Sequence, residues 1–182
     1  SRTAQDVAAP PSFEPGPYYR MRTELFAAAP LSARDIVFLG DSLTEGGEWG
    51  DLFPHQFVRD RGISGDTAAG VLARLGQVTA ARPRAVFLLI GTNDLAMDPS
   101  GRQSLAHYRA ILERLRKEAP ETHVFVQSLL PRAAPFRPAI ESYNAALAAL
   151  SREFGHTFID LYPAFLADDG SLRDEFTVDG VH

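Results

Sequence analysis

The sequence has no cysteine, so disulfide bonds, thiolate metal ligands and a thiol nucleophile are all excluded. Its only lysine, Lys117, lies in a run of charged residues typical of a solvated helix face, which argues against Schiff-base chemistry. Long hydrophobic runs are missing too: the longest clear one covers residues 85–90, whereas a membrane span needs about 18–20 apolar residues. We therefore expect no membrane span, and the location, cytoplasmic or exported, stays open.

Positive charge is not in excess. The chain has 18 basic and 23 acidic residues and a formal net charge of -5, so it lacks the electrostatic footprint of a nucleic-acid-binding protein. No His-x-x-x-His pair, no Gly-Lys-Ser/Thr phosphate loop and no Gly-x-Gly-x-x-Gly fingerprint occurs in the sequence. These absences predict a protein with neither a nucleic-acid partner nor a metal site.

The length of 182 residues fits one compact domain with a buried core. Residues 1–35 are expected to form a proline-rich leader and a packing helix, and residues 36–182 the main body. The apolar residues of that helix fall at helical spacing: Tyr18, Met21 and Leu25. Because the first residue is Ser1 and not Met, we expect a processed or engineered chain.

After residue 35 the sequence alternates short apolar runs with longer amphipathic segments. The runs are typical of buried strands and cover residues 36–39, 85–90, 124–126 and 157–159, with a shorter candidate at 56–58. Helical spacing of apolar residues predicts amphipathic helices over 105–115 and 140–154, and a further helical run covers 68–75. This alternation predicts an α/β fold with a parallel sheet, in which ligands bind beyond the carboxyl ends of the strands.

The first candidate motif is Gly-Asp-Ser-Leu-Thr at residues 40–44, directly after the first predicted strand. The glycine permits a sharp turn, so that Ser42 would project from the carboxyl edge of the sheet at the start of a helix. Ser42 could therefore be a nucleophile. The alternative is that Asp41, Ser42 or Thr44 only caps a helix, and this motif alone leaves both interpretations open.

Two further motifs could supply hydrogen-bond donors at the same edge. Residues 62–67, Gly-Ile-Ser-Gly-Asp-Thr, follow the short second strand, and Gly65 would leave an uncovered backbone N–H that can donate to an oxyanion. Residues 91–94, Gly-Thr-Asn-Asp, follow the strongest strand and bring the amide of Asn93 to the same edge as Ser42. Each motif also has an ordinary interpretation, a capped turn in the first and an Asn-Asp turn in the second.

The last four residues, Asp-Gly-Val-His, could form a general base with its orienting group. Asp179 and His182 have i, i+3 spacing, which can bring a carboxylate against an imidazole within one turn. A lone histidine is more often structural than catalytic, but no other histidine in the sequence has such a partner pattern.

In this order the four motifs resemble the four sequence blocks of the SGNH (GDSL) hydrolase family, over about residues 36–182. The resemblance implies a flavodoxin-like three-layer α/β/α sandwich around a five-stranded parallel sheet. The family's roles would fall on Ser42 as nucleophile, His182 as general base, Asp179 as its orienting group, and the Ser42 N–H, Gly65 and Asn93 as the oxyanion hole. The resemblance therefore implies a serine ester hydrolase that works through an acyl-enzyme and needs no cofactor.

Residues 128–132, Ser-Leu-Leu-Pro-Arg, and the Asp-Gly-Val-His ending look most like the branch with platelet-activating factor acetylhydrolase subunits and small bacterial esterases. That likeness implies small-molecule esters of short acyl groups, acetyl above all, as substrates. Asp41 and Arg132 are candidate substrate-binding residues, although an arginine after a strand is more commonly a surface residue. Family members normally continue beyond this histidine into a final helix, so we expect a truncated sequence.

Other functions use the same machinery: carbohydrate O-acetylesterase, lysophospholipase and thioesterase. A catalytically silent protein that binds a glycan or a lipid is a non-enzymatic alternative, and a doubly wound domain can also hold a flavin. Retention of Ser42, Asp179 and His182 argues against the first, and a colourless purified protein would exclude the second. The acyl length, the alcohol, the oligomeric state and the compartment are left open by the sequence.

Overall fold

The computed structural model describes residues 13–182, so most of the predicted leader lies outside the described residues. The strands are β1 (Ile36–Gly40), β2 (Val58–Gly62), β3 (Ala85–Leu89), β4 (His123–Gln127) and β5 (Thr157–Ile159). They form one five-stranded sheet in the order β2-β1-β3-β4-β5, and every neighbouring pair is parallel. Helices flank this sheet, which confirms the predicted α/β fold of the flavodoxin-like α/β/α type.

Helices connect each strand to the next, as parallel pairing requires, and one further helix lies before the first strand and one after the last. They are α1 (Pro17–Ala28), α2 (Ser42–Glu45), α3 (Trp49–Leu52), α4 (Ala68–Arg74), α5 (Gly76–Thr79), α6 (Thr92–Met97), α7 (Arg102–Glu118), α8 (Arg137–Phe154) and α9 (Tyr162–Phe165). Two short 3-10 turns cover Ala134–Phe136 and Asp174–Phe176. The predicted stripes on α7 and α8 face inward: Tyr108, Ile111, Ile140 and Leu147 are all buried. No helix in residues 13–182 is long and apolar enough to span a membrane.

Alternate side chains of the central strands face opposite layers. On one face Val86 and Leu88 of β3 are fully buried in the main core. On the other face the register aligns Phe38, Phe87 and Phe125 in one row across β1, β3 and β4, with ring centroids 5.0 and 4.5 Å apart. Trp49 of α3 stacks on Phe38 at 4.1 Å and covers the end of this row.

The first helix is present, but its predicted packing face is wrong. Tyr18, Met21 and Leu25 are 45%, 43% and 52% exposed, whereas Phe26 is 6% exposed. The Phe26 ring lies 4.6 Å from the guanidinium carbon of Arg61, a residue of β2. Because the surface under α1 carries arginine instead of aliphatic side chains, the helix packs through a cation–π contact and not through an aliphatic stripe.

The second strand was predicted over residues 56–58, and it instead covers Val58–Gly62. Its sequence is mostly charged because β2 lies at the edge of the sheet, where its side chains find polar partners. Arg59 and Arg61 both donate to the backbone carbonyl of Ala29, which follows the end of α1. An edge strand of this kind lacks the apolar run on which the sequence-based prediction depends.

Candidate active site

The first three strands end at the same level on one edge of the sheet. The register pairs Gly40, the last residue of β1, with Gly62 at the end of β2 and with Leu89 at the end of β3. The three predicted motifs begin at or just after these positions. The topology therefore brings Ser42, Gly65 and Asn93 to the same edge.

Ser42 is the first residue of α2, so its backbone N–H has no partner within the helix. The preceding residue, Asp41, is the helix cap: its Oδ1 accepts the N–H of Leu43 at 2.9 Å. Asp41 is only 1% exposed and its Oδ2 has no partner in residues 13–182. Burial raises the pKa of the Asp41 carboxyl to about 6. These are the contacts of a buried cap, and its substrate-binding role stays a prediction.

Ser42, His182 and Asp179 form a continuous row of hydrogen bonds. Ser42 Oγ lies 3.0 Å from His182 Nε2, and His182 Nδ1 lies 2.5 Å from Asp179 Oδ2. An ionised carboxylate only accepts, so the Nδ1 side of the imidazole must donate to it. In the neutral ring Nε2 is then the acceptor, and the Ser42 hydroxyl donates to it. This arrangement can move a proton from the serine to the imidazole.

The Asp179 side chain also accepts hydrogen bonds from backbone N–H groups of its own turn. Asp179 Oδ1 accepts the N–H groups of Val181 at 2.9 Å and His182 at 2.7 Å. The hydrogen bond from the His182 side chain, together with these backbone bonds, holds the pKa of Asp179 well below its usual value. Thr177, which sequence reasoning missed, accepts the N–H of Gly180 at 2.8 Å. A threonine two residues before an Asp-Gly turn is the signal that could have identified it.

Gly65 lies in an exposed turn that closes with a bond from the Asp66 N–H to the Ile63 carbonyl at 3.0 Å. Its φ of 80° is in the region that glycine adopts readily and other residues rarely do. The Gly65 N–H has no hydrogen-bond partner within residues 13–182. It is therefore available to a ligand.

Asn93 is the second residue of α6, and its side chain reaches back to the neighbouring motif. Its Nδ2 donates to the backbone carbonyl of Asp66 at 2.9 Å. This bond uses one of the two N–H groups of the amide and leaves the other for a further acceptor.

A buried ion pair lies beneath this turn and was not found by sequence reasoning. Arg74 contacts Asp66 at 2.9 Å, and the two side chains are 3% and 1% exposed. The same guanidinium donates to the carbonyls of Arg61 at 2.8 Å and Gly40 at 3.0 Å. Arg74 therefore ties the ends of β1 and β2 to the residue that orients Asn93.

Arg132 is half-buried and is bound to the Asn93 segment. Its Nη1 donates to the carbonyl and the hydroxyl of Thr92 at 3.2 and 3.3 Å. Its guanidinium lies 4.2 Å from the ring centroid of Phe136. These contacts support the turn that carries Asn93, and a role of Arg132 in substrate binding stays a prediction.

Two cavities lie near these motifs, and neither of them is lined by Ser42, Asn93 or His182. One of about 280 Å³ is lined by Asp94, Ser104 and His107, and one of about 300 Å³ lies between Tyr18 of α1 and the turn of Gly65. Within residues 13–182, no group of three or more His, Cys, Asp or Glu side chains is arranged to hold a metal ion.

Comparison with known proteins gives a consistent assignment. Residues 38–182 match the family described as GDSL-like Lipase/Acylhydrolase. The chain is similar to the structure of a GDSL-like lipase from Bacteroides thetaiotaomicron, with 26% identity over 90% of this chain and 88% of that one and a TM-score of 0.74. No curated protein sequence matches it.

Two further similarities, both below 25% identity, are similarities of fold. A Streptococcus pneumonia protein, provisionally described as a platelet activating factor, has a TM-score of 0.78 and 24% identity over 91% of this chain and 83% of that one. An acetylxylan esterase from Geobacillus stearothermophilus, solved as a catalytic mutant, has a TM-score of 0.59 and 21% identity over 77% and 86%.

Proposed function

The chain belongs to the GDSL-like Lipase/Acylhydrolase family and is an ester-bond hydrolase, and on this basis we propose that it is a serine esterase for short acyl groups. Ser42 is the nucleophile, His182 the general base and Asp179 its orienting group. The observation that carries this proposal is the unbroken row of hydrogen bonds from Asp179 through His182 to the Ser42 hydroxyl, at 2.5 and 3.0 Å.

The reaction has two halves. In the first, Ser42 Oγ bonds to the acyl carbon while its proton passes to His182 Nε2, and the carbonyl electrons move onto oxygen. The imidazolium then gives this proton to the departing alcohol as the ester C–O bond breaks. In the second half water attacks the acyl-serine, with His182 again taking and returning the proton, and the carboxylic acid leaves.

The tetrahedral oxyanion needs donors that are oriented before the reaction begins. The N–H of Ser42, the N–H of Gly65 and the amide of Asn93 fill this role. Two facts support the choice: the Gly65 N–H is free within residues 13–182, and the Asn93 amide is held at one N–H only.

The acyl group is proposed to be short, with acetyl preferred. The likeness to the acetylhydrolase branch over residues 128–132 supports a short acyl group. A carbohydrate O-acetylesterase, lysophospholipase or thioesterase would use the same chemistry on another leaving group.

Hydrolysis of p-nitrophenyl esters from acetate to laurate tests both parts of the proposal. We expect the highest kcat/KM with acetate, and loss of nearly all activity in Ser42→Ala. Ser32→Ala is the matched control, because Ser32 is exposed and lies before β1 at the opposite end of the strand. An active Ser42→Ala would contradict the nucleophile, and a preference for laurate would contradict the short acyl group. Release of acetate from acetylated xylan would identify a carbohydrate O-acetylesterase.

A further inference from the structure

Glu45 connects the helix of Ser42 to the turn of Gly65. It lies at the end of α2, three residues after Ser42 and so on the same side of the helix. One carboxylate oxygen, Oε2, accepts both the backbone N–H of Ser64, at 2.7 Å, and the Ser64 hydroxyl. Ser64 directly precedes Gly65, so this carboxylate fixes the peptide next to the proposed donor.

The two segments also touch directly below this contact. A Cβ added to Gly62 would lie 2.2 Å from the backbone nitrogen of Glu45 and 2.8 Å from the carbonyl oxygen of Asp41. Only glycine permits so close an approach of α2 to the end of β2. Glu45 therefore binds the turn of Ser64 and Gly65, which follows a strand end whose backbone already lies close to α2, the helix of Ser42.

The other carboxylate oxygen of Glu45 faces α1. Oε1 accepts the Tyr18 hydroxyl. It also lies at an ion-pair distance of 3.1 Å from Arg22 Nε, which makes no hydrogen bond within residues 13–182. Arg22 also donates to the carbonyl of Gly62 at 3.4 Å. Although burial raises the pKa of Glu45, the hydrogen bonds from Ser64 and Tyr18 hold it below its usual value, so the carboxylate is charged. Helix α1 lies outside the family match over residues 38–182.

We propose that Glu45 is a positioning residue that sets the distance and direction of the Gly65 donor relative to Ser42, and that α1 acts on the reaction through it. The inference rests on the proposed function, because it concerns the same oxyanion hole. A donor aimed at the transition state loses much of its effect when its loop can move, and a displacement of about 1 Å can cost a hundredfold in rate.

The first experiment compares Glu45→Ala with Glu48→Ala, using p-nitrophenyl acetate. Glu48 is the next acidic residue along the chain, is exposed and makes no capping bond, so its variant removes the same charge without touching Ser64. We expect kcat to fall about ten- to a hundredfold in Glu45→Ala, with KM nearly unchanged, and both constants to stay at wild-type values in Glu48→Ala. Glu45→Gln keeps an acceptor for the Ser64 N–H and should recover part of the loss.

A second measurement separates positioning from general stability. Phenylboronic acid forms a tetrahedral adduct with a reactive serine and so reports on the oxyanion hole. Its Ki should rise in Glu45→Ala in proportion to the loss of kcat/KM. A lower melting temperature with unchanged kcat and Ki would mean that Glu45 is only structural, which would overturn the inference.

The part played by α1 is tested with a double-mutant cycle. Tyr18→Phe alone should lower kcat about two- to fivefold, and it should have no further effect in the Glu45→Ala background. Equal effects in both backgrounds would show that α1 does not act through Glu45. If Glu45→Ala does not fold, Tyr18→Phe and Ser64→Ala carry the test, because both residues are exposed, and wild-type kcat in both would overturn the inference.

The controls keep this inference apart from the proposed function. A wild-type protein that hydrolyses no ester would end the proposed function. If Ser42→Ala is inactive and Glu45→Ala is fully active, the positioning role of Glu45 is overturned and the proposed function is kept.

Discussion

The side-chain amide of Asn93 donates to the backbone carbonyl of Asp66 at 2.9 Å, which joins the third motif to the second. Because Nδ2 must face that carbonyl, the orientation of the amide is fixed. Its remaining N–H therefore has a set direction before any substrate binds. Preorganisation of this kind gives an oxyanion donor its effect.

Asn93→Ala should lower kcat about a hundred- to a thousandfold, because it removes one donor of the proposed oxyanion hole. The fold should persist, since Asn93 is only half-buried, at the start of α6. Steady-state kinetics with p-nitrophenyl acetate and a circular dichroism spectrum check both parts. Wild-type turnover in this variant would exclude Asn93 from the oxyanion hole.

Asp179→Asn should lower kcat about a thousand- to ten-thousandfold. The asparagine oxygen can still accept the N–H groups of Val181 and His182, so the turn is kept. An amide N–H facing His182 would instead favour the tautomer that is protonated on Nε2, which cannot accept the Ser42 proton. A variant with kcat within tenfold of wild type would show that Asp179 does not set the tautomer.

The value of kcat/KM should fall at acid pH, because a protonated His182 cannot accept the Ser42 proton. Asp179 stays ionised there, since hydrogen bonds from His182 hold its pKa well below the usual value. Burial raises the pKa of the Asp41 carboxyl to about 6, so Asp41 ionises below neutral pH. The acid limb should therefore persist in Asp41→Asn, and a flat profile in that variant would assign the limb to Asp41.

Asp41→Asn should also change the pH dependence of stability. The raised pKa means that the folded state binds the proton more tightly than the unfolded chain does, so the buried charge costs stability above about pH 6 and this cost fades as the pH falls toward about 4. The variant should raise the free energy of unfolding at pH 8 by about 1–3 kcal/mol and change it little at pH 4. Urea denaturation at the two pH values measures this. An equal effect at both would mean that the carboxyl is not perturbed.

Arg74→Met should destabilise the protein by about 3–5 kcal/mol, because it leaves the buried carboxylate of Asp66 without its partner. The matched control is Arg109→Gln, which breaks an exposed ion pair with Glu153 and should change stability little. Urea denaturation of the two variants compares them. A small effect of Arg74→Met would mean that water or another group compensates Asp66.

The sequence predicted the edge of the sheet at which the motifs gather, because local signals determine it. The strand at residues 85–89 is an uninterrupted apolar run and could be read directly, and in a parallel sheet the residues that follow each strand gather at one edge. The contact between Asp179 and His182 could also be predicted from the sequence, because the two residues are only three positions apart.

Contacts between distant segments could not be read in this way. Nothing near Glu45 in the sequence indicates that it would bond to Ser64 and Tyr18, since those partners depend on how α1 and β2 are placed. The buried pair of Asp66 and Arg74 spans one helix, but arginine and aspartate at this spacing are usually solvated. A pattern based on hydrophobicity has no signal for buried charge.

The single tryptophan of the chain, Trp49, stacks on Phe38, and its indole N–H donates to the carbonyl of Thr44 at 2.8 Å. Thr44 is two residues from Ser42 in the same short helix. The tryptophan fluorescence of the protein therefore originates from a single indole attached to the segment that carries Ser42, the proposed nucleophile. Emission excited at the red edge of tryptophan absorption gives an optical signal, without any added dye, for small movements of that segment when an inhibitor is bound.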